Sequence, residues 1–200
     1  LRPTPDRVRE TLFNWLGQDL SGWRVLDAFA GSGALGFEAA SRGATEVLLL
    51  EQDLALVRAL HAARERLKAT TLRVQRQDAM AFMRGAPAAS LDLVLLDPPF
   101  DAGLALPALI AAERLLAPGG FVYLESGEPL PGGPADPADP TGGLPAGLTP
   151  WRQGKAGAAD YLSLLADPER VWHLASALAV DGWYSFMGWS PRGGALWALW

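Results

Sequence analysis

The sequence predicts an α/β fold built on a doubly wound, mostly parallel sheet. Short apolar segments that suit buried strands alternate with segments of helical periodicity, a pattern typical of βαβ units. A glycine-rich turn joins the first strand to the helix after it, as expected where a parallel sheet binds a ligand. The chain has 200 residues, half of them apolar, which is enough for one domain with a substantial core.

The predicted elements follow one another in a regular order. Thr4, Pro5 and Asp6 form a helix-start signal, and apolar residues recur behind them at helical spacing. Helices are predicted at residues 5–16, 34–41, 54–67, 79–83 and 104–116, and the segment APGG at 117–120 is predicted to stop the last one. Strands are predicted at residues 24–29, 46–50, 72–75, 91–96 and 121–124.

The C-terminal third departs from this alternation. Residues 127–150 are so rich in glycine and proline that no regular element is expected there. Residues 151–153 and 161–165 are predicted to pair as an antiparallel hairpin, which completes a Rossmann-like sheet of seven strands. We predict one domain over residues 1–165 and a tryptophan-rich tail over residues 166–200, with a helix from 167 to 180.

Composition and charge limit the kinds of function. The net charge of -5 gives the whole chain no basic footprint for nucleic acid, although residues 1–84 carry 12 Lys and Arg against 10 acidic residues. A polyanion is therefore expected to approach the N-terminal part. With no cysteine and only two histidines, no metal site is expected. No apolar run reaches the roughly 18 residues of a membrane span, so we expect a cytoplasmic protein without membrane contact. We also expect it to be a monomer.

A glycine motif, Gly31-x-Gly33-x-x-Gly36, lies between the first strand and the second helix. Glycine lets the backbone turn sharply and lets a ligand approach the free amides at the helix start. Such a motif suits a nicotinamide dinucleotide and S-adenosylmethionine alike, and it also occurs without any ligand.

Three acidic residues near successive strand ends distinguish the two cofactors. Asp27, four residues before Gly31, would repel a pyrophosphate but attract the ammonium group of a methionine moiety. Glu51 ends the second strand, where a carboxylate can accept both ribose hydroxyls. Asp78 follows the third strand and is positioned to accept a hydrogen bond from an adenine amino group. Together they favour S-adenosylmethionine.

The segment LLDPPF at residues 95–100 predicts the reactive end of the site. Asp97 ends the fourth strand, beside the first in the doubly wound order. The prolines stiffen the turn and leave the Pro98 carbonyl free, so two acceptors can hold one exocyclic NH₂ group. Phe100 offers a face on which a flipped base can stack. This arrangement makes an aromatic amine a better nucleophile without any histidine or cysteine.

Four stretches together resemble the bacterial small-subunit ribosomal RNA guanine-N2 methyltransferases, a family of S-adenosylmethionine-dependent enzymes. They are RPTPDRVRETLFNWL (2–16), VLDAFAGSGALGFEAASRGA (25–44), LDLVLLDPPF (91–100) and RQGKAGAADYL (152–162). The resemblance implies that the substrate is 16S rRNA, within the small ribosomal subunit or an assembly intermediate. It also implies a basic segment ahead of residue 1, which we expect to be missing from this chain.

The resemblance and the strand-end argument assign the site residues in three groups. The expected cofactor-binding residues are Asp27, Phe29, Gly31, Ser32, Gly33, Gly36, Glu51, Gln52, Asp78 and Ala79. The expected catalytic residues are Asp97, Pro98, Pro99 and Phe100, and the expected RNA-binding residues are Arg2, Arg7 and Arg9.

Other functions fit parts of the same pattern. An N6-adenine methyltransferase would use the same grip on an exocyclic amine, but such enzymes often carry a target-recognition domain for which this chain has no room. A non-catalytic S-adenosylmethionine-binding ribosome assembly factor would have no use for Asp97-Pro98-Pro99-Phe100. A nicotinamide dehydrogenase is disfavoured because no catalytic domain follows the glycine motif.

Overall fold

The computed structural model describes residues 6–126, 144–145, 147–156, 159–165, 187–189 and 195–197. The helices are α1 (Asp6–Leu16), α2 (Ala34–Ser41), α3 (Leu54–Leu67), α4 (Ala79–Gly85) and α5 (Ala105–Glu113), with a 3₁₀ turn at Phe100–Ala102. The strands are β1 (Arg24–Asp27), β2 (Glu46–Glu51), β3 (Leu72–Arg76), β4 (Leu91–Leu96), β5 (Leu116–Ser126), β6 (Thr149–Ala156), β7 (Ala159–Leu165), β8 (Met187–Trp189) and β9 (Ala195–Trp197).

The main sheet has the strand order β3-β2-β1-β4-β5-β7-β6. Strands β1 to β5 are parallel, whereas β7 runs antiparallel to both β5 and β6. The predicted Rossmann-like α/β fold with a five-stranded parallel sheet is therefore confirmed. The order reverses between β1 and β4, and ligands of such sheets bind at the carboxyl ends beside this point.

The chain divides into two compact units, Leu1–Pro168 and Glu169–Trp200. In the second unit β8 and β9 pair antiparallel, with Met187 opposite Trp197. The helix predicted at residues 167–180 lies outside the described residues.

The core of the first unit shows which way the strand side chains point. One buried cluster joins α4 and α5 to the sheet through Leu26, Leu50, Val94, Leu96, Val122 and Leu124. Because side chains alternate along a strand, the neighbours Asp27, Leu95 and Tyr123 point to the opposite face. On that side α1 runs parallel to α2, since Arg9 contacts Glu38 and Phe13 contacts Arg42. The N-terminal end of α1 thus lies toward the carboxyl ends of the strands.

Two predicted boundaries near β5 are wrong. The helix predicted to reach residue 116 ends at Glu113, because the Leu115 carbonyl accepts hydrogen bonds from the amides of Ser90 and Leu91 and so joins the sheet. The segment APGG lies within β5 instead of stopping a helix. Leu91 faces Leu116 while Leu93 faces Phe121, so this segment is a bulge, and Gly119 adopts a φ of 76° there.

Residues 127–143 and 146 of the predicted glycine- and proline-rich loop lie outside the described residues. Its last part is anchored: Leu144 and Leu148 are buried, and the Gly147 amide donates to Glu113 Oε1 at 2.7 Å. Strand β6 starts at Thr149, before the predicted end of the loop, and the β6–β7 pairing extends to Ala156 opposite Ala159. The strands are longer than predicted because ladder hydrogen bonds form through the backbone and need no apolar side chains.

Candidate active site

The predicted site residues converge on the carboxyl ends of the parallel strands. Asp27 ends β1, Glu51 ends β2, and Asp97 directly follows β4. Asp78 follows β3 by two residues. The structure thus brings all four carboxylates to the carboxyl ends of the parallel strands, with Asp27 and Asp97 on the two strands that flank the reversal of strand order.

The glycine turn between β1 and α2 has a backbone conformation that favours glycine. Gly31 and Gly33 have φ values of 53° and 80°. A Cβ atom on Gly33 would lie 2.6 Å from the Leu60 side chain and 2.8 Å from the Phe37 ring. Gly33 therefore permits both the left-handed turn and the close packing of α2 against its surroundings.

The Glu51 carboxylate accepts hydrogen bonds from backbone amides of two loops, the glycine turn after β1 and the segment after β2. Its Oε2 accepts from the Gly31 amide at 2.9 Å, and its Oε1 accepts from the amides of Gln52 and Asp53 at 2.7 and 2.9 Å. Part of its acceptor capacity is thus used to order the glycine turn and the start of α3. Sequence reasoning, which treated Glu51 only as a ribose acceptor, missed this structural role.

Gln52 and Asp78 form an exposed pair beside Glu51. Gln52 Nε2 donates to Asp78 Oδ2 at 2.7 Å, while Asp78 Oδ1 caps α4 by accepting from the Ala81 amide at 2.6 Å. Ala79 is buried at the start of α4. The pair lies where the adenine end of the predicted cofactor is expected, and that assignment stays a prediction.

Asp27 is almost fully buried, with 2% of its surface exposed. Its Oδ2 accepts from the Gly36 amide at 2.9 Å, which fixes the first turn of α2 to the end of β1. Burial raises the pKa of Asp27 to about 7, and the nearby carboxylates Glu51 and Glu125 add to the rise, against the opposing effect of the Gly36 hydrogen bond. The role of Asp27 in attracting the ammonium group of the cofactor stays a prediction.

The turn after Asp97 has the stiff form that the sequence predicts. Pro98 is buried, Pro99 is exposed, and the Pro99 carbonyl accepts from the Ala102 amide to close the 3₁₀ turn. No hydrogen bond within the described part of the chain reaches the Pro98 carbonyl. Phe100 is 44% exposed, which is unusual for a large aromatic side chain. The Asp97 carboxylate, the Pro98 carbonyl and the exposed Phe100 ring therefore lie together in one turn.

Two remaining cofactor candidates differ in exposure. Phe29 is partly buried and packs against the cluster of α4 and α5, whereas Ser32 is exposed at the glycine turn.

Glu125 is the site residue that sequence reasoning missed. It lies near the end of β5, is 5% exposed, and accepts a hydrogen bond from the Tyr123 hydroxyl at 3.0 Å. Burial, Glu125 and Asp27, in that order, raise the pKa of Asp97 to about 7. The signal was present in the sequence, because YLES places a carboxylate at the fifth strand end just as LLD does at the fourth.

The three arginines expected to bind RNA have different positions. Arg2 lies outside the described residues. Arg7 is exposed near the N-terminal end of α1, on the side of the candidate site. Arg9 lies 3.6 Å from Glu38 in an ion pair. RNA binding by these residues stays a prediction.

Within the ranges given above, no group of three or more His, Cys, Asp or Glu side chains has the arrangement of a metal site. None of the helices described here is long and apolar enough to cross a bilayer.

Comparison with known proteins gives a consistent set of relatives. Residues 1–136 match the family model described as conserved hypothetical protein 95. Ribosomal RNA small subunit methyltransferase D of Escherichia coli K12 is 45% identical over 130 residues, which are 63% of this chain and 64% of that relative's length. The protein of the same name from Haemophilus influenzae is 40% identical over 136 residues, with 66% of this chain and 70% of the relative covered.

A solved structure supports the same relationship. The protein yhhF from Escherichia coli superposes with a TM-score of 0.70 at 35% sequence identity, covering 84% of this chain and 89% of that one. The predicted resemblance to the small-subunit ribosomal RNA methyltransferase family is thus confirmed. The chain spans 64% of the length of the Escherichia coli K12 methyltransferase that it matches.

Proposed function

This chain belongs to the conserved hypothetical protein 95 family, and from that premise we propose that it methylates ribosomal RNA. The reaction proposed is transfer of a methyl group from S-adenosylmethionine to the exocyclic N2 amine of a guanine in 16S rRNA. The names of the relatives support ribosomal RNA of the small subunit as the substrate.

The turn of Asp97, Pro98, Pro99 and Phe100 is the observation that carries this proposal. The Asp97 carboxylate and the unbonded Pro98 carbonyl are two acceptors at the switch point of the sheet. If both accept hydrogens from one NH₂ group, the nitrogen lone pair is less delocalised into the base and is free to attack. The exposed Phe100 ring supplies a stacking surface for a base taken out of its helix.

The chemistry of the other strand ends fits the cofactor. Carboxylates at β1, β2 and β3 suit a ligand with an ammonium group, a ribose and an amino-substituted base better than one with a pyrophosphate. The residues proposed to hold it are Asp27, Phe29, Gly31, Ser32, Gly33, Gly36, Glu51, Gln52, Asp78 and Ala79. When bound, S-adenosylmethionine would supply an electrophilic methyl group on a sulfonium sulfur.

The wider context of the enzyme is part of the same proposal. We assign the methyltransferase domain to residues 1–165, with the antiparallel pair β6 and β7 completing a seven-stranded sheet, and treat residues 166–200 as a tryptophan-rich tail to which we assign no role. Arg2, Arg7 and Arg9 are proposed to contact phosphates of the RNA. The substrate is 16S rRNA within the small subunit or an assembly intermediate, and the enzyme acts in the cytoplasm as a monomer without a metal.

Nucleoside analysis after reaction tests the proposal. Purified protein is incubated with isotope-labelled S-adenosylmethionine and small subunits from a strain lacking the modification, and the RNA is digested for mass spectrometry. Labelled N2-methylguanosine is the expected product. Labelled N6-methyladenosine would instead identify an adenine methyltransferase, and tight cofactor binding without any transfer would indicate a non-catalytic assembly factor.

A further inference from the structure

Glu125 and Asp97 are neighbours across the two central strands of the site. In the parallel β4–β5 ladder Leu95 faces Tyr123 and Leu96 faces Leu124, so Asp97 and Glu125 are the next residues along each strand. Paired residues of parallel strands point to the same face, and that face is opposite the cluster holding Leu96 and Leu124. The two carboxylates therefore share one side of the sheet edge.

Other polar side chains lie on the same side of the sheet as Asp97 and Glu125. Tyr123, two residues before Glu125 on the same face, donates its hydroxyl hydrogen bond to Glu125 Oε1 at 3.0 Å. Asp27 faces Leu95 in the β1–β4 ladder and lies on the same side, where it is buried. Besides burial, two acidic side chains raise the pKa of Asp97, Glu125 from β5 and Asp27 from β1. The cationic Arg152 of β6 lies on the same side of the sheet, because it faces Ser163, which in turn faces Tyr123.

We propose that Glu125 is a positioning residue for methyl transfer, acting through Asp97 so that this carboxylate can take the proton that the amine loses. This inference rests on the proposed function. It assigns a role to a buried acid that the two-acceptor grip on the amine does not use.

The proton balance of the reaction requires such an acceptor. The amine nitrogen uses its lone pair to form the bond to the methyl carbon, while the electron pair of the broken carbon–sulfur bond stays on sulfur. The nitrogen is then a cationic secondary amine and must release one proton to become the neutral product. Asp97 already accepts from an N–H of that amine in the proposed grip, so its carboxylate receives the proton and later passes it to water.

Glu125 makes Asp97 suited to this step. An ordinary aspartate has a pKa near 4 and is a weak base, whereas an acceptor works best when its pKa lies close to the working pH. Burial is the largest cause of the rise in the pKa of Asp97 to about 7. A second negative charge on the same face, that of Glu125, disfavours ionisation of Asp97 further.

Carboxyl NMR of the free protein tests the inference without any reaction. The full chain labelled with ¹³C at Asp and Glu carboxyls is titrated, and Asp97 is assigned by its loss in Asp97→Asn. We expect an Asp97 midpoint near pH 7, which Glu125→Gln lowers by about one pH unit. Glu46→Gln removes the same charge at the exposed start of β2 and should leave that midpoint unchanged.

Tyr123→Phe separates charge from packing, because it removes the hydroxyl but keeps both carboxylates. Its Asp97 midpoint should stay near that of the wild type. An equal fall in Tyr123→Phe and Glu125→Gln would overturn the inference, since repacking would then explain the effect. If Glu125→Gln does not fold, the wild type decides: coupled titration of Asp97 and Glu125 supports the pair, and an Asp97 midpoint near 4 overturns it.

The pH profile of methyl transfer supplies the second readout. Wild-type kcat should rise through pH 7 as Asp97 ionises. In Glu125→Gln the acid limb should move to lower pH by about one unit. The rate at pH 8 should fall by no more than about tenfold, because the base is weaker by about one pKa unit. If the wild type transfers methyl groups and Glu125→Gln keeps its profile, only this inference fails. If the wild type transfers none to any RNA, the proposed function fails with it.

Discussion

Glu51 Oε2 accepts a hydrogen bond from the Gly31 amide at 2.9 Å, so the end of β2 holds the glycine turn that follows β1. The residue expected to bind the ribose also shapes the loop expected to surround the cofactor. Cofactor affinity should therefore depend on Glu51 in two ways, through direct contact and through the order of the turn.

Replacing Glu51 by alanine should weaken S-adenosylmethionine binding by about 1–3 kcal/mol, the scale for losing a charged hydrogen-bond acceptor. Isothermal titration calorimetry measures the change. Glu46→Ala, at the exposed start of the same strand, is the matched control and should bind as the wild type does. Unchanged affinity in Glu51→Ala would mean that the ribose lies elsewhere.

Asp27 should make folding stability fall as the pH rises. Its folded pKa of about 7 exceeds the unfolded value of 3.8, so the folded state binds the extra proton between these values. Below pH 4, Asp27 contributes up to about 4 kcal/mol to the free energy of unfolding. This contribution is lost as the pH rises through 7. Urea unfolding of Asp27→Asn at pH 5 and pH 8 should show a clearly smaller difference than the wild type.

The unfolding free energy of Asp27→Asn should still fall somewhat as the pH rises, because the pKa of Asp97 is also raised in the folded protein. A wild type whose unfolding free energy rises between pH 5 and pH 8 contradicts the assigned ionisation of Asp27.

Asp97→Asn should lower the rate of methyl transfer by about 10²-fold or more, the scale for a group that acts chiefly in the transition state. The side chain keeps its size, but one acceptor atom becomes an NH₂ that opposes the substrate amine. Cofactor affinity should change little, since the proposed contacts lie mainly on β1, β2 and β3. Single-turnover transfer to small subunits lacking the modification measures the rate, and a nearly wild-type rate would refute the two-acceptor grip.

Phe100→Ala should act on substrate binding instead of the chemical step. Loss of one stacking contact with a base is worth roughly 1–3 kcal/mol, so the KM for the RNA should rise while kcat is largely kept. The exposed Leu106 on α5 offers a control, since Leu106→Ala removes a comparable apolar surface outside the turn. Equal effects of both changes would argue against a specific stacking role.

Much of this site could be predicted because each acid ends a buried apolar strand. Asp27, Glu51 and Asp97 all follow that rule, and parallel strands bring their carboxyl ends together. Glu125 follows it too, but the glycine and proline residues behind it suggested that the loop had begun. The three amides held by Glu51 could not be predicted, because side-chain contacts with loop amides depend on the folded turn.

The helix boundary at Glu113 shows a second reason for error. Leu115 and Leu116 continue the apolar periodicity of α5, and nothing local distinguishes them from helical residues. They join the sheet because β4 supplies backbone partners for Leu115 and Leu116. Tertiary pairing decided the outcome where local propensity was neutral.

Strand β3 forms one edge of the main sheet, and its five residues include Arg73 and Arg76, both exposed. A second copy that extended the sheet along this edge would bring arginines of both chains close together, and like charges on adjacent strands are destabilising. The guanidinium of Arg76 also donates to the Gln52 carbonyl, which turns it toward its own chain. We therefore expect concentrated protein to resist edge-to-edge association on that side.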